Sequence, residues 1–379
     1  MIKNRAAATA SSFLVMFFLG VGTAVIGAAS KNIGLDPSQV GLLIMVQNIG
    51  FLLSVVVSGS LADSMKKPVL MSIASFVLAV SFFFFYFRET FILNFFIMLV
   101  IGIGMGAYEG TADPFLLDIH TKRESLYITI NHFFVAFGEL MITVYLIFLQ
   151  MEWRRSVIEA AAAVAVLGVL FLFIRAPKQR AHIEKLSERA GYLRKEKGVF
   201  LLFLLALCIV GAELGIIGIL TSFLVDLREF TLVTSKLGMV TFLAGVALGR
   251  LFLGFAAKKE RLVQSILILF GLMSAGSAAL FFIPAGPALT YVLLFGLGLV
   301  LSVIFPLIIS LAGIKYPEAS GTVLGLVKLG IPIGGIVVPF LLSLFSRWWS
   351  FSGALLLFPA LGVIGFVLLA AAGKRLRIA

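Results

Sequence analysis

Residues 91–119 read FILNFFIMLVIGIGMGAYEGTADPFLLDI, a run that is long and apolar enough to cross a membrane as one helix. Roughly 20 apolar residues in a helix span a hydrocarbon layer of about 30 Å. Glu109 lies inside this run. An ionisable carboxyl at bilayer depth is costly, and it usually marks a pathway for protons or ions. The stretch therefore predicts a membrane-spanning helix that carries a functional group.

The whole 379-residue chain is strongly apolar, since 61% of its residues are hydrophobic and only 13% are charged. Apolar runs of roughly 20 residues recur about twelve times, and each is long enough to span the bilayer. These runs are continuously apolar, whereas the strands of a spanning barrel alternate between apolar and polar residues. We therefore predict an all-α membrane protein with twelve transmembrane helices in two pseudo-symmetric six-helix halves.

The predicted spans lie near residues 10–29, 38–62, 69–87, 91–119, 124–149, 153–174, 198–227, 235–256, 261–282, 287–314, 319–345 and 349–372. A polar segment divides the series into an N-terminal half (1–174), a link (175–197) and a C-terminal half (198–379). The small residues Gly50, Gly59 and Ala62 recur with the same spacing as Gly245, Gly254 and Ala257, which indicates an internal repeat. The alternative is that glycine is simply common in membrane helices.

The net charge of +12 is explained by basic loops on one side of the predicted membrane. The link alone has eight Lys or Arg residues against three acids. By the positive-inside rule, both termini and the link are cytoplasmic, and we place the protein in a bacterial inner membrane. Lys236 falls among the few basic residues expected on the opposite side. Arg250 and Lys328 are then the cations predicted well inside a span.

Glu109 and Asp113 are four residues apart, so they lie on one face of the predicted helix, about one turn from each other. Two carboxyls this close in a low dielectric cannot both ionise cheaply, and one of them could carry a proton near neutral pH. The alternative for Asp113 is an ion pair with a basic loop residue. We predict a proton-coupling role for both residues.

Three further titratable residues are candidates for the same role. His132 and Glu139 are seven residues apart and share a helix face, and histidine is a natural proton shuttle near its ordinary pKa. A buried histidine that only satisfies its own hydrogen bonds is the alternative. Glu213 falls near the middle of its span and needs a partner there, which a structural ion pair would equally provide.

Lys328 lies inside the predicted span 319–345, where a buried ammonium has to be compensated. It could bind an anionic group of a solute. It could also neutralise one of the acids in the spans, and we favour this second interpretation. Those acids are Glu109, Asp113, Glu139 and Glu213.

The segment GSLADSMKK, residues 59–67, resembles the signature loop of the major facilitator superfamily, which has a glycine, an aspartate four residues later and then basic residues. Gly59, Asp63 and Lys67 match this pattern, while Ser64, Lys66 and the following Pro68 depart from it. The resemblance implies two six-helix halves that transport a solute by alternating access. It also implies that Gly59, Asp63 and Lys67 act in the conformational change, as does Arg250 between helices.

Within the superfamily, several short segments are similar to the fucose:proton symporter-like branch: YEGTADP (108–114), NHFFVAFG (131–138), GAELGIIGIL (211–220), GR (249–250), FP (305–306) and GGIVVP (334–339). The chain departs from that branch at Asp113, where the branch usually has Asn, and it lacks an acidic residue in the first helix. The resemblance implies proton-coupled sugar transport. The residues expected to bind the solute are Tyr108, Asn131, Lys328, Gln47 and Asn48.

The sequence therefore predicts a proton-coupled secondary transporter of a small polar solute, with a sugar or sugar-like compound as the favoured class. The alternative is a proton-coupled exporter of drugs or amphiphilic compounds, although the fifth span lacks the proline-glycine motif that drug antiporters carry there. No ATP-binding loop, zinc-protease motif or hydrolase nucleophile motif is present, so no enzyme activity, cofactor or metal is expected. The expected partners are the solute, protons and the lipid bilayer, without nucleic acid.

The predicted topology can be tested with a single cysteine introduced into the link near Lys185. Because the link is expected in the cytoplasm, an impermeant thiol reagent added to intact cells should leave this cysteine unmodified. Modification under those conditions would contradict the predicted orientation.

Overall fold

The computed structural model describes residues 5–120, 124–149, 152–174, 196–253, 261–316, 320–372 and 376. Across these residues, twelve segments are long and apolar enough to cross a membrane. A helix satisfies all of its internal backbone hydrogen bonds within one segment, which is why apolar runs of this length adopt it in lipid. The prediction of an all-α fold with twelve candidate spans is confirmed.

The first six helices match the predicted spans closely. They are α1 (Arg5–Ile33), α2 (Pro37–Ser64), α3 (Lys67–Phe84), α4 (Phe91–Ile119), α5 (Glu124–Phe148) and α6 (Trp153–Phe173). The predicted link falls outside the described residues except for positions 196 and 197, as do both chain ends. The predicted cytoplasmic location of these segments therefore stays a prediction.

The later helices are α7 (Lys197–Arg228), α8 (Leu232–Leu248), α9 (Leu262–Phe282), α10 (Pro287–Lys315), α11 (Ser320–Lys328), α12 (Gly330–Trp348), α13 (Phe351–Ala354) and α14 (Leu357–Ala372). Helix α8 begins three residues before the predicted start of its span and continues into a π-helical turn, Gly249–Leu253. Such turns are rare and are frequent at functional sites.

The predicted span 319–345 is broken at Leu329, between α11 and α12. Pro332 lies at the start of α12 and has no backbone N–H, so it cannot bond the carbonyl of Lys328 four residues earlier. The helix resumes when the N–H of Ile333 bonds the carbonyl of Leu329 at 3.2 Å. The break therefore has a local cause in the sequence.

The chain forms two compact units, of which one contains α1–α6 apart from residues 36–41, and the other contains residues 36–41 and α7 onward. In the first unit α1 packs against α5 and α4, and α3 packs against α4 and α6. In the second unit α7 packs against α12 and α10, and α9 packs against α10 and α14. The same pairings thus occur at corresponding positions, which supports the internal repeat.

Close backbone contacts repeat in the same way. Within the first unit, Gly50 of α2 lies against the backbone of Leu99 in α4. Within the second unit, Gly298 of α10 lies so close to α8 that a Cβ atom would overlap the carbonyl oxygen of Phe242. Small residues allow helix backbones to approach in this way.

Gly298→Ala should therefore lower the stability of the protein, because the added methyl group forces α8 and α10 apart. We expect a loss of about 1–3 kcal/mol, typical of overpacked interiors. Gly296→Ala is the matched control, since a Cβ on Gly296 of the same helix meets no atom of the described residues within 4 Å. Thermal unfolding of the two variants checks the prediction, and equal melting temperatures would contradict it.

Candidate functional site

The first unit contains a cluster of polar side chains where α4 faces α5. Asp113 of α4 accepts a hydrogen bond from the Nδ2 atom of Asn131 at 2.9 Å through Oδ1. Its other oxygen, Oδ2, lies 3.0 Å from Nε2 of His132. A carboxylate can only accept, so the imidazole donates from Nε2 whenever Asp113 is ionised. The Asp113 carboxyl is therefore held by two neighbouring residues of α5.

Glu109 belongs to the same cluster. One carboxylate oxygen of Glu109, one of Asp113 and one ring nitrogen of His132 all lie within 4.8 Å of one another. Asp113 is 15% exposed and His132 is 38% exposed. The structure thus brings together three of the predicted proton-coupling residues.

Asn131 is oriented by a further contact that the sequence did not predict. Its Oδ1 atom accepts a long hydrogen bond of 3.5 Å from the hydroxyl of Ser12 in α1. The Asn131 side chain is fully buried, and this contact leaves its Nδ2 group directed at Asp113. A lone serine in an apolar helix gives no sequence signal for such a contact.

The donor atoms of Glu109, Asp113 and His132 are close enough together to hold a cation. They are equally suited to share a proton, because the contact between His132 and Asp113 already has hydrogen-bond length. Glu139 is buried on α5, two turns beyond His132. It lies on the helix that supplies His132 to the cluster.

Two of the three other predicted solute-binding residues of the first unit have contacts that join helices, and the third bonds within its own helix. Gln47 is buried, and its Nε2 atom donates to the carbonyl oxygen of Gly22 at 2.8 Å, which ties α2 to α1. Tyr108 is fully buried, with its hydroxyl 2.7 Å from that of Ser75 in α3. Asn48 donates to the carbonyl oxygen of Ile44 in its own helix.

His120 differs from His132 in its surroundings. It follows the end of α4, and its Nε2 atom lies 2.7 Å from the hydroxyl of Thr9. Burial lowers the pKa of His120 from its usual value, and the positive charge of Arg5 lowers it further. His120 is therefore neutral at pH 7, which makes it a poor candidate for carrying a proton.

The residues of the signature loop are placed as follows. Lys67 at the start of α3 forms a buried ion pair with Asp118 near the end of α4, with 2.6 Å between Nζ and Oδ2. No atom of the described residues lies within 4 Å of the Cβ position of Gly59. The Asp63 side chain lies outside the described residues. Asp118 was not predicted, since nothing in the sequence marks it as the partner of Lys67.

In the second unit, Glu213 of α7 pairs with Arg250, whose Nη2 atom lies 2.5 Å from Oε1 of the glutamate. Arg250 is the second residue of the π-helical turn that follows α8. Glu213 is buried, so the guanidinium supplies the partner that a carboxylate at this depth requires. This arrangement corresponds to the structural alternative that the sequence left open for Glu213.

Two lysines of the second unit differ from expectation. Lys328 was expected to be buried, but it is the last residue of α11, next to the break at Leu329, and its side chain is exposed. Lys236 was expected at the end of the span 235–256, among the basic residues on the side opposite the link, but it is fully buried in α8 because that helix begins at Leu232. A shift of a few residues in a helix boundary accounts for this second error.

The sequence model of the Major Facilitator Superfamily matches residues 8–328. A comparison with curated protein sequences finds no match. The match extends over both units, so it covers the cluster in the first and the ion pair in the second.

Solved structures of membrane transporters have a similar fold. A bacterial homologue of the human lysosomal transporter Spinster has a TM-score of 0.79 at 14% identity, over 99% of this chain and 97% of that chain. The nucleoside transporter NupG has a TM-score of 0.77 at 16% identity, over 98% of this chain and 100% of that chain. A D-xylose-proton symporter has a TM-score of 0.75 at 12% identity, over 97% of both chains. At these identities the likeness shows a shared fold alone.

The ion pair in the second unit gives a direct prediction. Arg250→Met leaves the Glu213 carboxylate buried without its cation, and the stability should fall by about 3–5 kcal/mol. Removing both charges, as in Glu213→Met combined with Arg250→Met, should recover much of this loss, because no unpaired charge remains. Thermal unfolding of the two single variants and the double variant checks this. Additive losses in the double variant would show that the two charges do not depend on each other.

Proposed function

The chain belongs to the major facilitator superfamily, and from this membership we propose that it is a proton-coupled secondary transporter of a small polar solute. The observation that carries the proposal is the cluster of Glu109, Asp113 and His132, since its three titratable groups lie within 4.8 Å of one another. Titratable groups at this distance bind and release protons as a coupled set. Such a set in a membrane span is suited to carry a proton across.

The three residues would have different roles in proton transfer, because their surroundings differ. Asp113 is fixed by Asn131 and His132, so it forms the anchored part of the cluster. His132 is more exposed than Asp113 and would exchange protons with water. Glu109, one turn away on α4, would be the main protonation site. Glu139 further along α5 would be a second relay group, whereas Glu213 is already engaged by Arg250.

Alternating access of the two six-helix halves would couple the proton to the solute. Asn131 is the strongest candidate among the solute-binding residues, because its amide contacts Asp113 and a solute that displaced this contact would alter the proton site. Gln47, Asn48, Tyr108 and Lys328 complete the proposed set. Gly59, Asp63, Lys67 and Arg250 would act in the conformational change, and the pairs made by Lys67 and Arg250 would open or re-form with it.

A small polar solute is supported by two of the similar folds, which are named as a nucleoside transporter and a D-xylose-proton symporter. The second of these names also supports proton coupling. A sugar or sugar-like compound is therefore the favoured class, with a drug or amphiphile exporter as the alternative. We further propose a bacterial inner-membrane location with cytoplasmic termini, and a carrier role without catalysis.

Glu109→Gln should abolish uphill, proton-driven accumulation of the solute while solute exchange at equal concentrations continues. The amide keeps the shape of the carboxyl group but cannot take up a proton at neutral pH. Transport by the purified protein in liposomes, with and without a pH gradient, measures both activities.

The matched control is Glu89→Gln, the same chemical change at an exposed carboxyl in the loop before α4. This variant should accumulate solute like the wild type. Undiminished uphill transport by Glu109→Gln would remove Glu109 from the mechanism.

A further inference from the structure

Lys236 is a cation inside a predicted membrane span for which the described part of the protein supplies no counterpart. Its side chain is 0% exposed, and it lies on α8, within the span Leu232–Leu251. Among the described residues, none accepts a hydrogen bond from its Nζ atom. An ammonium group that is removed from water and left unpaired is strongly destabilising.

Other buried or half-buried cations of the spans have partners among the described residues. Arg154 and Arg228 donate to backbone carbonyl oxygens, and two further cations lie against carboxylates. Lys67 lies 2.6 Å from the carboxylate of Asp118, and Arg250 lies 2.5 Å from that of Glu213. Each therefore has an acid on a neighbouring helix of its own unit. Lys236 departs from this pattern.

The packing of α8 against α7 explains why no acid reaches Lys236. The two antiparallel helices are aligned by the pair Glu213–Arg250 and by the hydroxyl of Thr221, which lies 3.9 Å from the sulfur of Met239. These two contacts place residues 224–227 of α7 closest in depth to Lys236. Asp226, the acid within this stretch, has an exposed side chain, so it is not buried beside the ammonium.

The neighbouring helix α10 offers no buried acid at this depth either. A Cβ atom on Gly238 would meet Leu294, so this part of α8 faces an apolar residue of α10. The hydroxyl of Tyr291 donates to the carbonyl oxygen of Thr234 at 3.0 Å, so this hydroxyl bonds the backbone of α8. Ser222 of α7 is also fully buried, and its hydroxyl has no partner among the described residues.

We propose that Lys236 binds an oxyanion of the transported solute, either a carboxylate or a phosphate. An oxyanion would supply both the negative charge and the hydrogen-bond acceptors that the ammonium lacks. A neutral hydroxyl would supply an acceptor but would leave the charge uncompensated. The inference rests on the transport function proposed above and narrows the solute to an organic anion.

The first test needs no ligand and compares two lysines. Lys236→Met should leave the melting temperature of the ligand-free protein unchanged or raise it, because the variant replaces an unpaired buried cation with an apolar side chain. Lys67→Met is the matched comparison and should lower the melting temperature, since it leaves Asp118 without its partner. A lower melting temperature for Lys236→Met as well would show a partner for Lys236 within the protein and would overturn the proposal.

The second test measures binding to the full-length protein by thermal shift and titration calorimetry. The probes are inorganic phosphate, D-gluconate, D-glucose 6-phosphate and D-glucose, which separate phosphate from carboxylate and both from a neutral sugar. At least one anion should stabilise the wild type, and its affinity should fall about tenfold or more in Lys236→Met. Lys197→Met, which removes an exposed lysine at the start of α7, should bind like the wild type.

The outcomes separate the binding inference from the transport function. If no anion binds the wild type more tightly than it binds Lys236→Met, the inference is wrong. If the protein in liposomes exchanges a neutral compound, and Lys236→Met does so at the same rate, the inference alone fails. If an anion binds through Lys236 but no probe is exchanged across the liposome membrane, the transport function fails while the binding site stands.

Discussion

Every peptide group and every charge that enters the hydrocarbon layer has to be satisfied within the protein, since lipid offers no hydrogen-bond partner. The backbone meets this constraint by forming long helices, and twelve segments of the described chain have the necessary length and hydropathy. Side-chain charges meet it through pairs such as Lys67 with Asp118 and Arg250 with Glu213. The positions of the polar residues in this protein follow from that constraint.

The same constraint bears on two further groups of charged residues in the described part of the chain. In the first unit, Glu109, Asp113 and His132 form a cluster with more than one possible arrangement of protons. In the second unit, Lys236 is buried without an acceptor among the described residues. A proton can complete the first arrangement and an anion the second. Both features are consistent with a carrier whose charges are balanced only when its cargo is bound.

The sequence predicted those features that depend on one helix at a time. The apolar runs gave the spans, and the spacing of Glu109 and Asp113 placed them on one face of α4, because the helical repeat fixes such relations. Contacts between helices were harder to predict from the sequence. His132 and Asn131 were chosen as candidates, but their shared partner Asp113 depends on how α5 packs against α4. Asp118 and Ser12 were missed for the same reason. The positions of helix ends were also hard to predict. The burial of Lys236 and of Lys328 was predicted wrongly because each lies close to a helix end.

The proposed function requires that solute movement and proton movement are coupled. Its most direct test is the number of protons that enter per solute molecule, measured with a pH-sensitive dye inside liposomes that contain the purified protein and carry no initial pH gradient. If the two movements are coupled, an imposed solute gradient should drive protons across the membrane with the solute in a fixed ratio. Solute uptake at full rate with no change in internal pH would contradict it.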